Sequence, residues 1–268
     1  MKINHINFII VACAILFAGC KKEGEFVLKP VKALKPFDIK GYVVADTLEQ
    51  YFDGVKVRDL YGKVSLAYVT PQIAFQNDVA VMQLKKKSTK EVVYEQKFSI
   101  ADAKNEVANF YFDGTKVSKS YQYPKPEGSD YMVNFYFDGP KGMPSVDIGI
   151  DVLEYYMDAN NKVIVVHSTS FPIAENLQRG KWSEYLKISP PPPVIPTQSG
   201  TDLYPVVTIR DAKTKKYLIG NNFETSTIQM EIPDQWTSQG KVQSIHIQQK
   251  GAEKNVFMEI NDLVQLFP

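Results

Sequence analysis

The 268-residue sequence carries 31 basic and 30 acidic side chains, with 44% hydrophobic and 23% charged residues. This composition is ordinary for a globular chain and leaves room for one to three domains with a sizeable core, so disorder is not the default. The near-zero net charge supplies no global field for nucleic acid or an acidic surface. Nucleic-acid binding is therefore not expected.

Lys2 and His5 precede an unbroken apolar run from Phe8 to Phe17. Such a run is too short to span a bilayer, which needs about 20 residues, but it suits the core of a signal peptide. It ends in Leu16-Phe17-Ala18-Gly19-Cys20, which resembles the lipobox of bacterial lipoproteins, with Phe17 at the place usually held by Leu. The resemblance implies cleavage after residue 19 and a lipidated Cys20 (palmitate among its acyl chains) as the new N-terminus, with the bilayer as partner. Lys21 follows in place of the Asp that retains many such proteins at the inner membrane, which implies the outer membrane. Lys21-Lys22-Glu23-Gly24-Glu25 resembles the charged segments that send some of them to the cell surface. Cys13 lies in the leader, so nothing downstream of Cys20 can form a disulfide and the fold depends on its core.

Residues 20–36 read as a lipidated tether, with Pro30 and Pro36 and little periodicity. From Phe37 the pattern predicts strand after strand: 38–45, 49–53, 63–70, 78–84, 91–99, 107–113, 130–138, 145–153 and 162–168. Val146, Ile148, Ile150 and Val152 alternate with Asp147, Gly149 and Asp151, the signature of a strand buried on one face. Helical periodicity is scarce: a turn or two at Ala101–Val107 and Val152–Met157, and a short helix within Ile173–Tyr185. Residues 37–188 form one large or two small β-sandwich units, with a possible break at the loop 121–130. Ser189-Pro190-Pro191-Pro192-Pro193 favours extended polyproline and cannot sit inside a sheet. Residues 189–200 are read as a linker, with a long loop inside one domain as the competing reading. Beyond it, 204–210, 216–219, 226–232, 241–248 and 255–260 predict a small C-terminal β domain over 201–268 that packs on the preceding one.

One hexapeptide occurs twice. Asn109-Phe110-Tyr111-Phe112-Asp113-Gly114 returns as Asn134-Phe135-Tyr136-Phe137-Asp138-Gly139, and Tyr51-Phe52-Asp53-Gly54 is a looser copy. Consecutive aromatics fit a pleated, half-buried strand and Asp-Gly supplies the positive φ of a tight reversal, so each copy predicts a strand end followed by a turn. The third copy, Tyr51-Phe52-Asp53-Gly54-Val55-Lys56-Val57 with Leu60-Tyr61-Gly62 and Tyr68-Val69-Thr70-Pro71, resembles small immunoglobulin-like domains of unknown function in bacterial envelope lipoproteins. The family's glycine shortly after the proline is absent, and Gln72-Ile73 stands there. Together these readings give an all-β chain of tandem immunoglobulin-like antiparallel β-sandwiches after a cleaved lipoprotein signal peptide. The resemblance implies a place among the accessory lipoproteins of nutrient-uptake systems or adhesin-type envelope proteins.

Catalytic signatures are missing. His167 and His246 alternate with Val and Ile neighbours as ordinary strand residues, and no zinc spacing, Gly-x-Ser-x-Gly or phosphate loop occurs. Asp147 and Asp151 share a strand face about 13 Å apart, too far for a glycosidase pair. They read as a solvated face, or as part of a calcium site with Glu154 or Asp158. No catalytic residue, metal or cofactor is expected. Aromatics are the remaining lead: Trp182 with Tyr185, Trp236 in a polar stretch, and Tyr121 with Tyr123 beside a loop. Exposed flat rings stack on sugars or anchor a protein partner. The expected role is binding or assembly without catalysis, with glycan binding as the first alternative and a hydrolase whose site forms only in the fold as the second. Trp182, Tyr185 and Trp236 are the candidate contacts.

Overall fold

Twenty consecutive residues, Ala33–Phe52, make the first strand, and the first half of the molecule closes around a bend in it. The computed structural model describes residues 30–66, 71–234, 236–251 and 255–268. The lipobox, Cys20 and the tether up to residue 29 lie outside them, as does the 67–70 end of one predicted strand. The bend in β1 (Ala33–Phe52) centres on Ala45, whose φ of 68° is a left-handed value rare for a residue with a Cβ. Before the bend, β1 pairs with β3 (Gln72–Phe75) and runs parallel to β6 (Asn105–Phe112). After it, β1 pairs with β4 (Val79–Lys86), which pairs in turn with β5 (Val92–Ser99). On its other side β1 forms a hairpin with β2 (Val55–Val64), closed at Asp53-Gly54 with φ values of 48° and 81°. Both are positive, as a type I′ reversal requires. The sheet thus folds over itself and encloses Phe37, Ile39, Val43, Leu48, Met82, Leu84, Phe98, Phe110 and Phe112.

Gly41 is required where β1 and β6 meet. A Cβ there would lie 2.5 Å from the Phe110 carbonyl oxygen and 2.6 Å from its ring. After β6, Asp113 accepts the backbone N–H groups of Thr115 and Lys116 at 2.7 and 2.9 Å and turns the chain into β7 (Val117–Ser118).

The second half is two four-stranded sheets face to face. One has the order β10 (Val163–Leu177), β9 (Val146–Met157), β12 (Asp202–Asp211), β13 (Thr227–Ile228). The other runs β11 (Leu186–Ile188), β8 (Tyr131–Asp138), β14 (Val242–Lys250), β15 (Phe257–Asp262), with β8 and β14 parallel. Val146, Ile148, Ile150 and Val152 face the shared core with Val133, Phe135, Phe137, Ile245 and Ile247, as the alternation predicts. The described part is all-β, in tandem sandwiches with one parallel strand pair in each, and its α-helix is α1, Leu263–Leu266, capped by Asp262. No helix among the described residues is long and apolar enough to cross a membrane.

Several expectations are corrected. Residues 201–268 are not a separate domain: β12 pairs along its whole length with β9, and β14 with β8. The proline stretch is therefore a loop within one sandwich, pinned by the buried Glu154. Its carboxylate accepts from the Thr197 hydroxyl at 2.7 Å, the Gln198 N–H at 2.9 Å and the Thr201 hydroxyl at 2.6 Å. No strand falls between β7 and β8, so residues 119–130, which include the 121–130 loop, join the first sheet to the second half. Where a helix was expected within 173–185, β10 continues to Leu177, and Val152–Met157 is strand. Pro172 is tolerated in β10 because that strand is an edge. Residues 216–219 contribute only a bridge at Tyr217, and the strand expected over 226–232 shrinks to β13 behind a 3-10 turn at Glu224–Ser226. The Asp138-Gly139 copy closes no hairpin, since the next strand, β9, lies in the opposite sheet.

Candidate functional site

The repeated hexapeptide builds the junction between the two sandwiches. In each copy alternation sends the two Phe side chains into their own core and the Tyr to the opposite face. Phe110 and Phe112 enter the first core, Phe135 and Phe137 the second, while Tyr111 and Tyr136 meet in a third, aromatic cluster between the units. Each copy also lies in a parallel strand pair, which sets Tyr111 beside Tyr42 and Tyr136 beside His246. Leu263 and Phe267 of the C-terminal turn, with Tyr121, complete the buried cluster, and Trp182 packs against it.

Polar groups in the junction are matched across the units. The Tyr42 hydroxyl lies 2.6 Å from His246 Nδ1 and Tyr61 donates to Asp138 at 2.7 Å, while Gln248 of Asp138's own sheet donates to the same carboxylate at 3.2 Å. His246 is fully buried, and its Nε2 has no hydrogen-bond partner, standing 3.7 Å from Asp138 Oδ2. Burial pushes both the Tyr42 and Tyr61 hydroxyls well above the ordinary phenol range, with nearby carboxylates adding to it. Burial also opposes ionisation of Asp138, but the His246 ring and the Tyr61 hydroxyl outweigh it and hold that carboxyl below its usual range. Sequence reasoning took His246 for an ordinary strand residue and missed Tyr42, Tyr61 and Asp138. The signal was in the repeat, whose tyrosine must point away from the two phenylalanines.

The three aromatics singled out from sequence do not converge. Trp182 is spent on the junction: its Nε1–H donates to the Tyr111 hydroxyl at 3.0 Å and its ring packs 5.4 Å from Tyr136. Tyr185 is half-buried, its hydroxyl 2.6 Å from Ser244 Oγ. Neither is a free-standing contact. Tyr121 is buried in the junction with Tyr123 beside it. Trp236 alone is open, 80% exposed.

The loop carrying Trp236 is held from within. Asp234 accepts the N–H groups of Trp236 and Thr237 at 2.6 and 2.7 Å, and donates its own N–H to Ser238 Oγ at 2.9 Å. The Thr237 hydroxyl and those two N–H groups keep the Asp234 carboxyl below its usual range. Pro233, Asp234, Ser238 and Gln239 form one wall of a groove of about 320 Å³. The facing wall comes from Ser129 to Tyr131 and from Lys187 to Pro190, with Asp130 and Lys187 ion-paired. A flat exposed ring beside a polar groove offers stacking and hydrogen bonding together.

The β9 carboxylates Asp147, Asp151 and Glu154 are engaged internally. Asp151 is buried, against the expectation of a solvated face, and accepts from Ser170, Thr208 and Arg210 at 2.6, 2.7 and 2.6 Å. Asp147 accepts from Asn176 N–H and Lys215 at 2.8 and 2.6 Å. Glu154 is committed to the proline loop, so it is not free to join a calcium site. Among the described residues no cluster of three His, Cys, Asp or Glu has metal-binding geometry.

No protein-family model matches the chain, and no curated protein matches it. Among solved structures, a candidate adhesin from Bacteroides ovatus aligns at 9% identity and a TM-score of 0.23, covering 86% of this chain and 95% of its own. A candidate cell adhesion protein from Bacteroides fragilis aligns at 8% identity and 0.24, covering 86% and 97%. A second Bacteroides ovatus candidate cell adhesion protein aligns at 10% identity and 0.22, covering 86% and 96%. At scores this low the chains do not superpose over their length.

Proposed function

We propose that this chain is a lipid-anchored protein of the bacterial outer membrane with a binding or assembly role and no catalysis of its own, using Trp236 to contact a glycan or protein partner. The observation that carries the contact is the Trp236 indole, 80% exposed yet seated on a loop tied down by Asp234 and Ser238. An exposed tryptophan on a fixed loop loses little side-chain entropy on binding and offers a large apolar face. The lipobox ending at Cys20 supports the anchor.

Fluorescence titration of the mature chain against a panel of soluble polysaccharides, with acrylamide quenching, tests the contact directly. A binding glycan shields Trp236, and Trp236→Ala abolishes the interaction. If no polysaccharide binds, crosslinking on intact membranes should recover a stoichiometric protein partner that is lost in Trp236→Ala. Partners retained in full by the variant would refute the assignment. For the anchor, Cys20→Ser should move the protein from the carbonate-washed membrane pellet to the soluble fraction.

A further inference from the structure

We propose that the outer face of the β10-β9-β12 sheet carries a pocket for a small organic cation with an apolar body, of the alkyl- or arylammonium class. This goes beyond the Trp236 contact and does not depend on it.

The outward-facing residues of a solvated sheet are normally polar, but here alternation puts Leu153 and Tyr155 of β9, Val165 of β10 and Tyr204 and Val206 of β12 on one outer patch. The floor is dry, Leu153 being 2% and Val206 5% exposed. The rim is not covered, since Tyr204 remains 56% exposed and Val165 38%. The cavity measures about 460 Å³. Small-molecule sites typically span about 300–1,000 Å³.

A rigid wall makes this a pocket and not a flat patch. Phe223 and Glu224 line it from the excursion between β12 and β13, and Thr227 from the start of β13. That excursion is laced by hydrogen bonds: Ile219 N–H to Ser226 Oγ at 2.9 Å, the Thr225 hydroxyl to the Ile219 carbonyl at 2.9 Å, Glu224 N–H to Asn222 Oδ1 at 2.7 Å, and the Thr227 hydroxyl to the Phe223 carbonyl at 2.8 Å. A wall fixed in advance removes an ordering cost from binding.

Charge selects the class. Glu224 is the one ionisable acid or base lining the cavity apart from the tyrosines, and Asp202 pairs opposite Tyr155 on the same face. The guanidinium of Arg210, further along that face, is committed to Asp151 at 2.6 Å and lies 4.0 Å over the Tyr217 ring. An anion would meet uncompensated negative charge. A cation would gain the Glu224 carboxylate and the faces of Tyr155, Tyr204 and Phe223, an arrangement suited to cation–π attraction.

Three probes sharing one body test this on the Cys20→Ser chain by NMR titration: 3-phenylpropylamine, 3-phenylpropanol and 3-phenylpropionate. The amine should bind saturably, roughly tenfold tighter than the alcohol, with the carboxylate weakest. Tyr204→Ala, at an exposed position, should weaken both amine and alcohol, while Glu224→Gln should narrow the difference between them severalfold and leave alcohol binding intact. Trp236→Ala should change nothing. The proposal is overturned if the amine shows no saturable shift, if the carboxylate binds as well as the amine, or if Tyr204→Ala has no effect. Self-association that buries Tyr204 and excludes the amine would overturn it too.

Discussion

Tyr42→Phe removes one oxygen atom from the junction and nothing else. The ring keeps its place, 5.6 Å from the His246 ring and edge-on to it, but His246 Nδ1 loses the hydroxyl that lies 2.6 Å away. His246 is fully buried and its Nε2 is already without a hydrogen-bond partner, so both ring nitrogens would stand unsatisfied. A buried polar group stripped of its partner costs about 1–3 kcal/mol, and about 2 kcal/mol is a factor of roughly thirty in the unfolding constant. His246→Phe should also destabilise the protein, but the double variant should be less damaged than the sum, with a coupling of about 1–2 kcal/mol. The assay is urea unfolding of the Cys20→Ser chain in a Trp236→Phe background, followed by the remaining Trp182. That indole packs 5.4 Å from Tyr136 and donates to Tyr111, so its emission reports the junction itself. Far-UV dichroism should give the same midpoint, because a locked junction makes the two sandwiches unfold together. If Tyr42→Phe unfolds with the parent's midpoint, or if the two probes separate in the parent, the junction is not a coupling element and the reasoning fails.

Four further outcomes follow from the geometry. Gly41→Ala forces a Cβ to within 2.5 Å of the Phe110 carbonyl oxygen, so calorimetry should find a loss of about 1–3 kcal/mol. Asp151→Ala leaves the Arg210 guanidinium without its carboxylate and should cost about 3 kcal/mol in urea unfolding. Glu154→Gln should free the proline loop without unfolding the sandwich, which limited proteolysis would detect as new cleavage within 190–200. Acid should destabilise the fold through its depressed carboxyls, of which Glu49 and Glu154 are the two buried side chains held lowest. Glu49 is held at about 2 by Lys56 and Lys90, and Glu154 at about 2 by the Thr201 hydroxyl with the Thr197 and Gln198 contacts. Both lie below the unfolded value, so their contribution is complete above about pH 4.5 and is lost as pH falls toward 2. A denaturation midpoint flat across that window would refute this.

What could be read from the sequence follows the range of the interactions. Local alternation located β9 and the core face of its Val146–Val152 run, and the Asp53-Gly54 reversal came from two adjacent residues. The turn at Asp138-Gly139 failed because the same dipeptide, once its carboxylate is taken by Tyr61, serves the junction and not a hairpin. The linker reading failed for a similar reason. Four prolines exclude a strand where they stand, but only the pairing of β12 with β9 decides whether the chain beyond them rejoins the same sheet. Asp151 looked solvated because alternation assigns a face, not what covers it, and Arg210, Ser170 and Thr208 cover that one. Among the site aromatics, Trp182 and Trp236 are indistinguishable by composition. One meets a partner from the first sandwich and the other meets solvent.

The repeat explains why the junction needs both halves. A single Phe-Tyr-Phe strand can bury its phenylalanines in its own sandwich but leaves its tyrosine on an outer face, where it has no partner of its own. Two such strands, each paired in parallel with a neighbour that carries Tyr42 or His246, present outer faces that satisfy one another. Cross-unit bonds from Tyr61 to Asp138, Tyr42 to His246 and Trp182 to Tyr111 then fix the angle between sandwiches. Under the proposed anchor at Cys20, that rigidity sets where the binding surfaces point. The first sandwich follows the tether, and the second carries both Trp236 and the pocket beneath Tyr204. A flexible joint would let these surfaces sample all orientations, whereas a locked one would present them at a set distance and heading from the proposed anchor. Replacing Tyr111 and Tyr136 together with Ala should therefore leave each sandwich folded while broadening the small-angle scattering envelope, and a profile identical to the parent's would show that the linking chain, not the aromatic junction, sets the geometry.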